Sequence, residues 1–129
     1  MSQTTDQALE TFHQFLNAVM SQKLDSILGF FGDDAQMFSP LGTFASRLDG
    51  KGAIGKQFQS ILDAVKNQFA GGLKIEPKDL SARELADNVV LITFHLQLPG
   101  PLHRRTFVMT KSGGTWRIAH IHASIASAT

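Results

Sequence analysis

Two histidines stand two residues apart in the segment WRIAHIHAS, which runs from Trp116 to Ser124. In an extended strand the side chains alternate between two faces, so His120 and His122 are expected to point the same way. Paired imidazoles could contribute to a metal site, but a catalytic zinc site needs three protein ligands. No carboxylate or third histidine lies close in the sequence. We therefore predict no metal site, and we favour a pair that hydrogen-bonds within a sheet face.

Other reactive side chains are few. The chain has no cysteine, which excludes disulfides and thiolate chemistry, and no serine sits on a glycine-flanked elbow. The formal net charge of the 129 residues is +1, so neither a nucleic-acid nor a membrane-surface partner is indicated. The polar start, MSQTTDQALE, lacks the basic and apolar regions of a leader peptide. We expect one cytoplasmic domain without a cofactor.

The elements that must position these residues follow from periodicity. Thr4 and Gln7 have capping-box spacing before a helical apolar stripe, LDSILGFFGDD indicates a short second helix, and a third is predicted from about Lys51 to Phe69. Two short strands are expected in AQMFSP and GTFASRLDG. The period then changes from 3.6 to 2, which predicts four further strands at Leu73–Leu85, Val89–Leu98, His103–Thr110 and Thr115–Ile125. This is an α+β pattern, with helices covering one face of a sheet.

The order of these segments resembles a known superfamily. LDSILGFFGDDAQMFSPLGT followed by GKGAIGKQF resembles the nuclear transport factor 2-like proteins, which include ketosteroid isomerases, SnoaL-like polyketide cyclases and the association domain of calcium/calmodulin-dependent kinase. The closing GGTWRIAHIHAS is similar to the SnoaL-like and kinase-association branch. The resemblance covers almost the whole chain. It implies a cone-shaped, cystatin-like fold, in which three N-terminal helices close over a curved antiparallel sheet and its cavity, and dimerisation through the convex sheet face.

The resemblance carries over no steroid-isomerase chemistry. The aspartate base of those isomerases corresponds to Ser39 here, and their helix-1 tyrosine corresponds to Phe15. Their protonated acid on the penultimate strand falls near Thr106. A serine without an activating base does not accept a proton at neutral pH, and phenylalanine donates no hydrogen bond. The catalytic set of the ketosteroid isomerases is therefore absent.

The same resemblance assigns faces to the strands. It implies that the odd-numbered side chains of Val89–Leu98 look into the cavity, and that one of Arg104 and Arg105 points inward, where a guanidinium would favour an anionic ligand. The predicted cavity residues are Phe15, Met37, Ser39, Phe58, Thr93, His95, Arg104, Thr106, Ala119 and Ala123. The even-numbered side chains would then form an exposed apolar face, which favours a homodimer. The predicted interface residues are Ile92, Phe94, Leu96, His120 and His122.

Three functions stay open at this point. The first is a dimeric domain that binds a small, mostly apolar molecule carrying a polar or anionic group. The second is a SnoaL-like isomerase, cyclase or hydratase that uses His95 as its acid–base group. The third is a non-catalytic oligomerisation module similar to the kinase association domain.

Overall fold

The computed structural model describes residues 3–39, 47–68, 74–97 and 102–126, and it confirms the α+β prediction. The three helices are α1 (Gln3–Met20), α2 (Leu24–Leu28) and α3 (Gly50–Gln68). The six strands are β1 (Phe31–Phe38), β2 (Leu48–Asp49), β3 (Lys78–Ala86), β4 (Val89–Gln97), β5 (Leu102–Ser112) and β6 (Thr115–Ala126).

The strands form one sheet with the order β2-β1-β6-β5-β4-β3. The last four strands make the predicted antiparallel meander, and the β5–β6 turn holds Gly113 and Gly114 at positive φ, as a two-residue hairpin turn requires. The sheet as a whole is mixed, because β1 pairs with β6 in parallel, a pairing that the sequence analysis did not predict. A parallel pair needs a long connection, and the segment between β1 and β6, which includes α3 and the other four strands of the sheet, supplies it.

Both long helices contact the same face of the sheet, which we call the inner face. The α1 helix contacts β3, β4 and β6, whereas α3 contacts β1 and β2. The α1 helix buries Phe12 in edge-on contact with Phe94 and Phe107, at ring-centroid distances of 5.1 and 5.2 Å. Phe15 lies between this group and Phe58 of α3, 6.1 Å from the latter ring. Edge-on aromatic pairs of this kind add stability beyond the area that they bury.

Strand β4 turns its even-numbered side chains toward the helices, which reverses the predicted assignment. Phe94 is only 3% exposed and packs beneath α1, and Val90, Ile92 and Leu96 are buried beside it. The prediction that Ile92, Phe94 and Leu96 form a dimer interface is therefore wrong. The physical reason is that the even-numbered set is wholly apolar while the odd-numbered set contains Thr93 and His95, and burial of the more apolar set releases more free energy.

Strand β6 does not alternate regularly along its length. Trp116 and Ile118 face inward, and so do Ile121 and Ala123, because the register between β5 and β6 shifts at Ala119. A residue added to one strand of an antiparallel pair is a β-bulge, and it changes which positions face the core. Trp116 and Ile118 therefore lie on the inner face, whereas His120 and His122, beyond the bulge, lie on the opposite face.

Phe94 supplies a test of the observed face assignment. Phe94→Ala is expected to lower the free energy of unfolding by about 3–5 kcal/mol, because it leaves a cavity among buried aromatic rings. Leu85→Ala, at an exposed position of β3, is the control and should cost less. Urea unfolding of both variants measures the difference. A Phe94 variant as stable as the Leu85 variant would contradict the packing described above.

Candidate functional site

Four of the predicted cavity residues do come together, but on the other face of the sheet. Thr93 pairs with Thr106, and His95 pairs with Arg104, in neighbouring positions of β4 and β5. All four share the face that is turned away from the helices, which we call the outer face. Their predicted place in an enclosed cavity is therefore wrong, and His95 loses the enclosed surroundings on which its acid–base role depended.

Arg105 is the arginine that points inward. It lies opposite Phe94 on one side and Ala123 on the other, and both of these side chains are buried on the inner face. Its guanidinium is half-buried, donates a hydrogen bond from Nη1 to the carbonyl oxygen of Arg104 at 3.1 Å, and has its pKa lowered by desolvation. The open choice between Arg104 and Arg105 is thus decided by the register of β5.

Among the described residues, Arg105 has no carboxylate side chain as a partner. All eleven acidic side chains lie in these ranges, and none of the ion pairs described there includes Arg105. A guanidinium stays charged even when it is partly desolvated, and it presents a planar set of donors that matches a carboxylate. The described part of the inner face therefore carries a cation without a side-chain counter-charge.

His103 lies two residues before Arg105 on the same face of β5. It is 8% exposed, and its Nδ1 atom is buried without a hydrogen-bond partner. Burial lowers the pKa of His103 below its ordinary value of 6.5, and the positive charge of Arg105 lowers it further. His103 is therefore a neutral imidazole at neutral pH with an unused hydrogen-bonding position.

A second polar pair lies across the sheet from these residues. The buried Gln57 of α3 donates a hydrogen bond from Nε2 to Oγ of Ser39 at 3.1 Å. Met37 pairs with Ile121, so continued alternation brings Ser39 next to Ala123, which is the neighbour of Arg105. Two strand spacings separate Ser39 from Arg105, or about 10 Å. We call Ser39, Gln57, His103 and Arg105 the inner polar band.

Most of the remaining predicted cavity residues belong to the packed core. Phe15, Met37 and Phe58 are buried in the same hydrophobic cluster, and Ala119 lies at the bulge of β6. Only Ser39 and Ala123 among the predicted set border the inner polar band. An open depression of about 420 Å³ lies elsewhere, and no member of the band lines it; its lining residues are Leu48, Gly52, Ala53 and Lys56.

Sequence reasoning missed Gln57 and His103 and left Arg105 as one of two alternatives, although the sequence contains a signal for each. Gln57 lies three residues after the buried Ile54, which is the spacing of one helix face. Strand alternation places His103 and Arg105 on the same face as Phe107, whose bulky apolar ring is typical of a core residue. An assignment of Phe107 to the inner face would have placed both polar side chains on that face as well.

The outer face holds the two histidines of WRIAHIHAS, as predicted. The rings of His120 and His122 lie 5.9 and 5.4 Å from that of Phe38, which is 37% exposed. Within the described ranges no group of three or more histidine, cysteine, aspartate or glutamate side chains is arranged to hold a metal ion. In the same part of the chain, no helix combines the length and apolar character needed to cross a membrane.

The lowered pKa of His103 predicts that acidification destabilises the fold. The unfolded chain, with an ordinary histidine pKa, binds a proton more readily than the folded chain does. The contribution of His103 is thus fully present above pH 6.5 and is lost as the pH falls through 6.5 toward its lower folded value. His120 acts in the same direction, because burial and then the charge of His122 lower its pKa.

Urea unfolding at about pH 7.5 and about pH 5.5 measures this loss of stability. His103→Phe is expected to lose less stability between the two values than the parent chain. His13→Asn, which changes an exposed histidine of α1, should lose as much as the parent. An acid-induced loss that is unchanged in His103→Phe would contradict the assignment.

The chain matches a protein-family model and a number of solved structures. The family model of the SnoaL-like domain matches residues 8–128. No curated protein matches the chain. A ketosteroid isomerase-like protein from Erwinia carotovora atroseptica superposes with a TM-score of 0.80 at 14% identity, covering 99% of this chain and 100% of that one.

Two further solved structures share the fold. An NTF2-like protein of unknown function from Pseudomonas putida KT2440 has a TM-score of 0.77 at 18% identity, with 93% of this chain and 84% of that chain covered. An uncharacterized protein with a cystatin-like fold from Caulobacter vibrioides has a TM-score of 0.77 at 18% identity, with 98% and 92% covered. At these identities the structures show the fold alone. Because the family model matches residues 8–128, nearly the whole length of the chain, the chain belongs to the SnoaL-like domain family.

Proposed function

We propose that this domain binds a small, mostly apolar molecule that carries an anionic group, with Arg105 as the anchor of that group. The observation that carries the proposal is the half-buried Arg105, which lies on the inner face without a carboxylate side chain among the described residues as its partner. Desolvation of a cation costs free energy unless an opposite charge compensates for it. A bound anion supplies that charge.

The neighbours of Arg105 favour a ligand with an apolar body. Phe94 and Ala123 flank it in the adjacent strands, and the buried Leu96 lies across from His103. Ala123 presents only a methyl group beside Arg105 on the inner face. The ligand's charged end would meet the inner polar band, and its apolar part would meet the surrounding hydrophobic side chains.

Matched small molecules test this anchor. Phenylacetate combines an aromatic body with a carboxylate, whereas phenylacetamide has nearly the same shape without the charge. We expect phenylacetate to bind and phenylacetamide to bind at least about tenfold more weakly, because a guanidinium–carboxylate contact contributes about 1.5–3 kcal/mol. Calorimetric titration gives both dissociation constants.

Two variants locate the site. Arg105→Gln should abolish the preference for phenylacetate, and Arg104→Gln should retain it, because Arg104 lies on the outer face. Equal binding of the acid and the amide by the parent chain, or an equal loss in both variants, would reject Arg105 as the anchor.

We also propose that the outer face mediates a homodimer. Phe94 is buried in the core, and the dimer is supported by the exposed ring of Phe38 together with the half-buried Leu91 and Val108, which pair across β4 and β5. Apolar side chains grouped on an accessible sheet face are typical of interfaces.

Light scattering of Val108→Glu tests the dimer. The substitution would bury an unpaired charge at the contact, so the parent chain should be dimeric at micromolar concentration and the variant monomeric. Lys66→Glu, at an exposed position of α3, is the control and should stay dimeric. A monomeric parent chain, or a Val108 variant that still dimerises, would count against this surface.

A further inference from the structure

His103 is the one buried side chain of the described ranges that has a polar atom without a hydrogen-bond partner. A buried imidazole nitrogen that is left unsatisfied costs free energy, and native structures leave few such groups without a reason. Arg105 lies two residues further along the same face of β5, about 6.6 Å away along the strand. The unused nitrogen and the unpaired guanidinium are thus neighbours on the inner face.

We infer that His103 and Arg105 form a two-point site for a carboxylate that also carries a hydroxyl group. This inference rests on the proposed function, and it deepens it by naming the chemical class of the ligand. The guanidinium of Arg105 would hold the carboxylate, and Nδ1 of His103 would hydrogen-bond to the hydroxyl group.

The choice of a hydroxyl group follows from the chemistry of a neutral imidazole. One ring nitrogen donates and the other accepts, and which of them is Nδ1 depends on the tautomer. A carbonyl oxygen satisfies only a protonated Nδ1, and an ammonium group satisfies only an unprotonated one. A hydroxyl both donates and accepts, so it satisfies either tautomer. An ammonium group would also lie close to the charge of Arg105 and be repelled by it.

The charge of the site agrees with this choice. A second anionic group in the ligand would favour the positively charged form of His103, which burial and the charge of Arg105 both oppose. A neutral hydroxyl makes no such demand on the imidazole. The Ser39–Gln57 pair across the sheet is already hydrogen-bonded internally, so His103 is the stronger candidate for a new contact.

Two pairs of aromatic acids test the second contact while holding the first one constant. Phenylacetate is compared with mandelate, which adds a hydroxyl group on the carbon next to the carboxylate. The second pair is 3-phenylpropanoate and 3-hydroxy-3-phenylpropanoate, which places the hydroxyl group one carbon further away. Each member of a pair presents the same carboxylate to Arg105. We expect the hydroxyl to tighten binding about three- to tenfold in at least one pair, the gain of one net hydrogen bond.

Variants assign that gain to His103. His103→Phe keeps a ring of similar size and removes both nitrogens, so it should eliminate the hydroxyl preference while binding of the unhydroxylated acid is retained. His95→Phe, on the outer face, should keep the preference. A preference that survives in His103→Phe, or no preference in either pair, overturns the inference.

One further measurement uses only the parent chain and needs no variant. In the parent chain labelled with ¹⁵N, the Nδ1 resonance of His103 should shift more with the hydroxylated acid that binds more tightly than with its unhydroxylated partner. Equal shifts would overturn the inference. Binding of carboxylates without any effect of the hydroxyl group rejects His103 alone, whereas failure of every carboxylate to bind through Arg105 rejects the proposed function as well.

Discussion

The packing of Phe12 against Phe94 and Phe107 is the contact on which the rest of this structure depends. It joins α1 to the two central strands of the meander, with both ring-centroid distances near 5 Å. Once these rings meet beneath the helix, every other residue of β4 and β5 is assigned to a face, because strand side chains alternate strictly where no bulge intervenes. Phe15 extends the cluster to Phe31 and Phe58, and so links the sheet to α3.

The same constraint produces the polar site. Phe107 must face the helices. Because side chains alternate along β5, Arg105 and His103 lie on the same inner face as Phe107. The aromatic cluster thus forces two polar groups into a partly desolvated place where the described residues offer neither a carboxylate side chain nor a partner for Nδ1. Free energy gained from aromatic packing sustains this unfavourable arrangement, as is common at binding sites.

Most of the elements were predictable because their signals are local. The helical stripe of α1 and the alternation of the last strands depend on residues within a few positions of each other, and β4, β5 and β6 lie within two residues of their predicted bounds. The second helix is shorter than predicted, since α2 ends at Leu28 and Phe31, expected in that helix, begins β1. The parallel pairing of β1 with β6 was missed, since no local pattern records which strands meet. The bulge at Ala119 left a trace in the spacing of Ile118 and Ile121, which are three residues apart where strict alternation requires two or four.

The sequence analysis did not predict correctly which face of β4 is buried against the helices. Alternation separated the residues of β4 correctly into two sets, but the expectation of a polar cavity assigned His95 inward and Phe94 outward. The relative hydrophobicity of the two sets favoured the opposite choice, which is the one observed. By itself the sequence determined the helices, the strands, the two alternating sets and the family. Only the tertiary structure decided that Arg105 and His103 share the inner face, because that depends on which set packs beneath α1, a contact between residues about eighty to ninety-five positions apart.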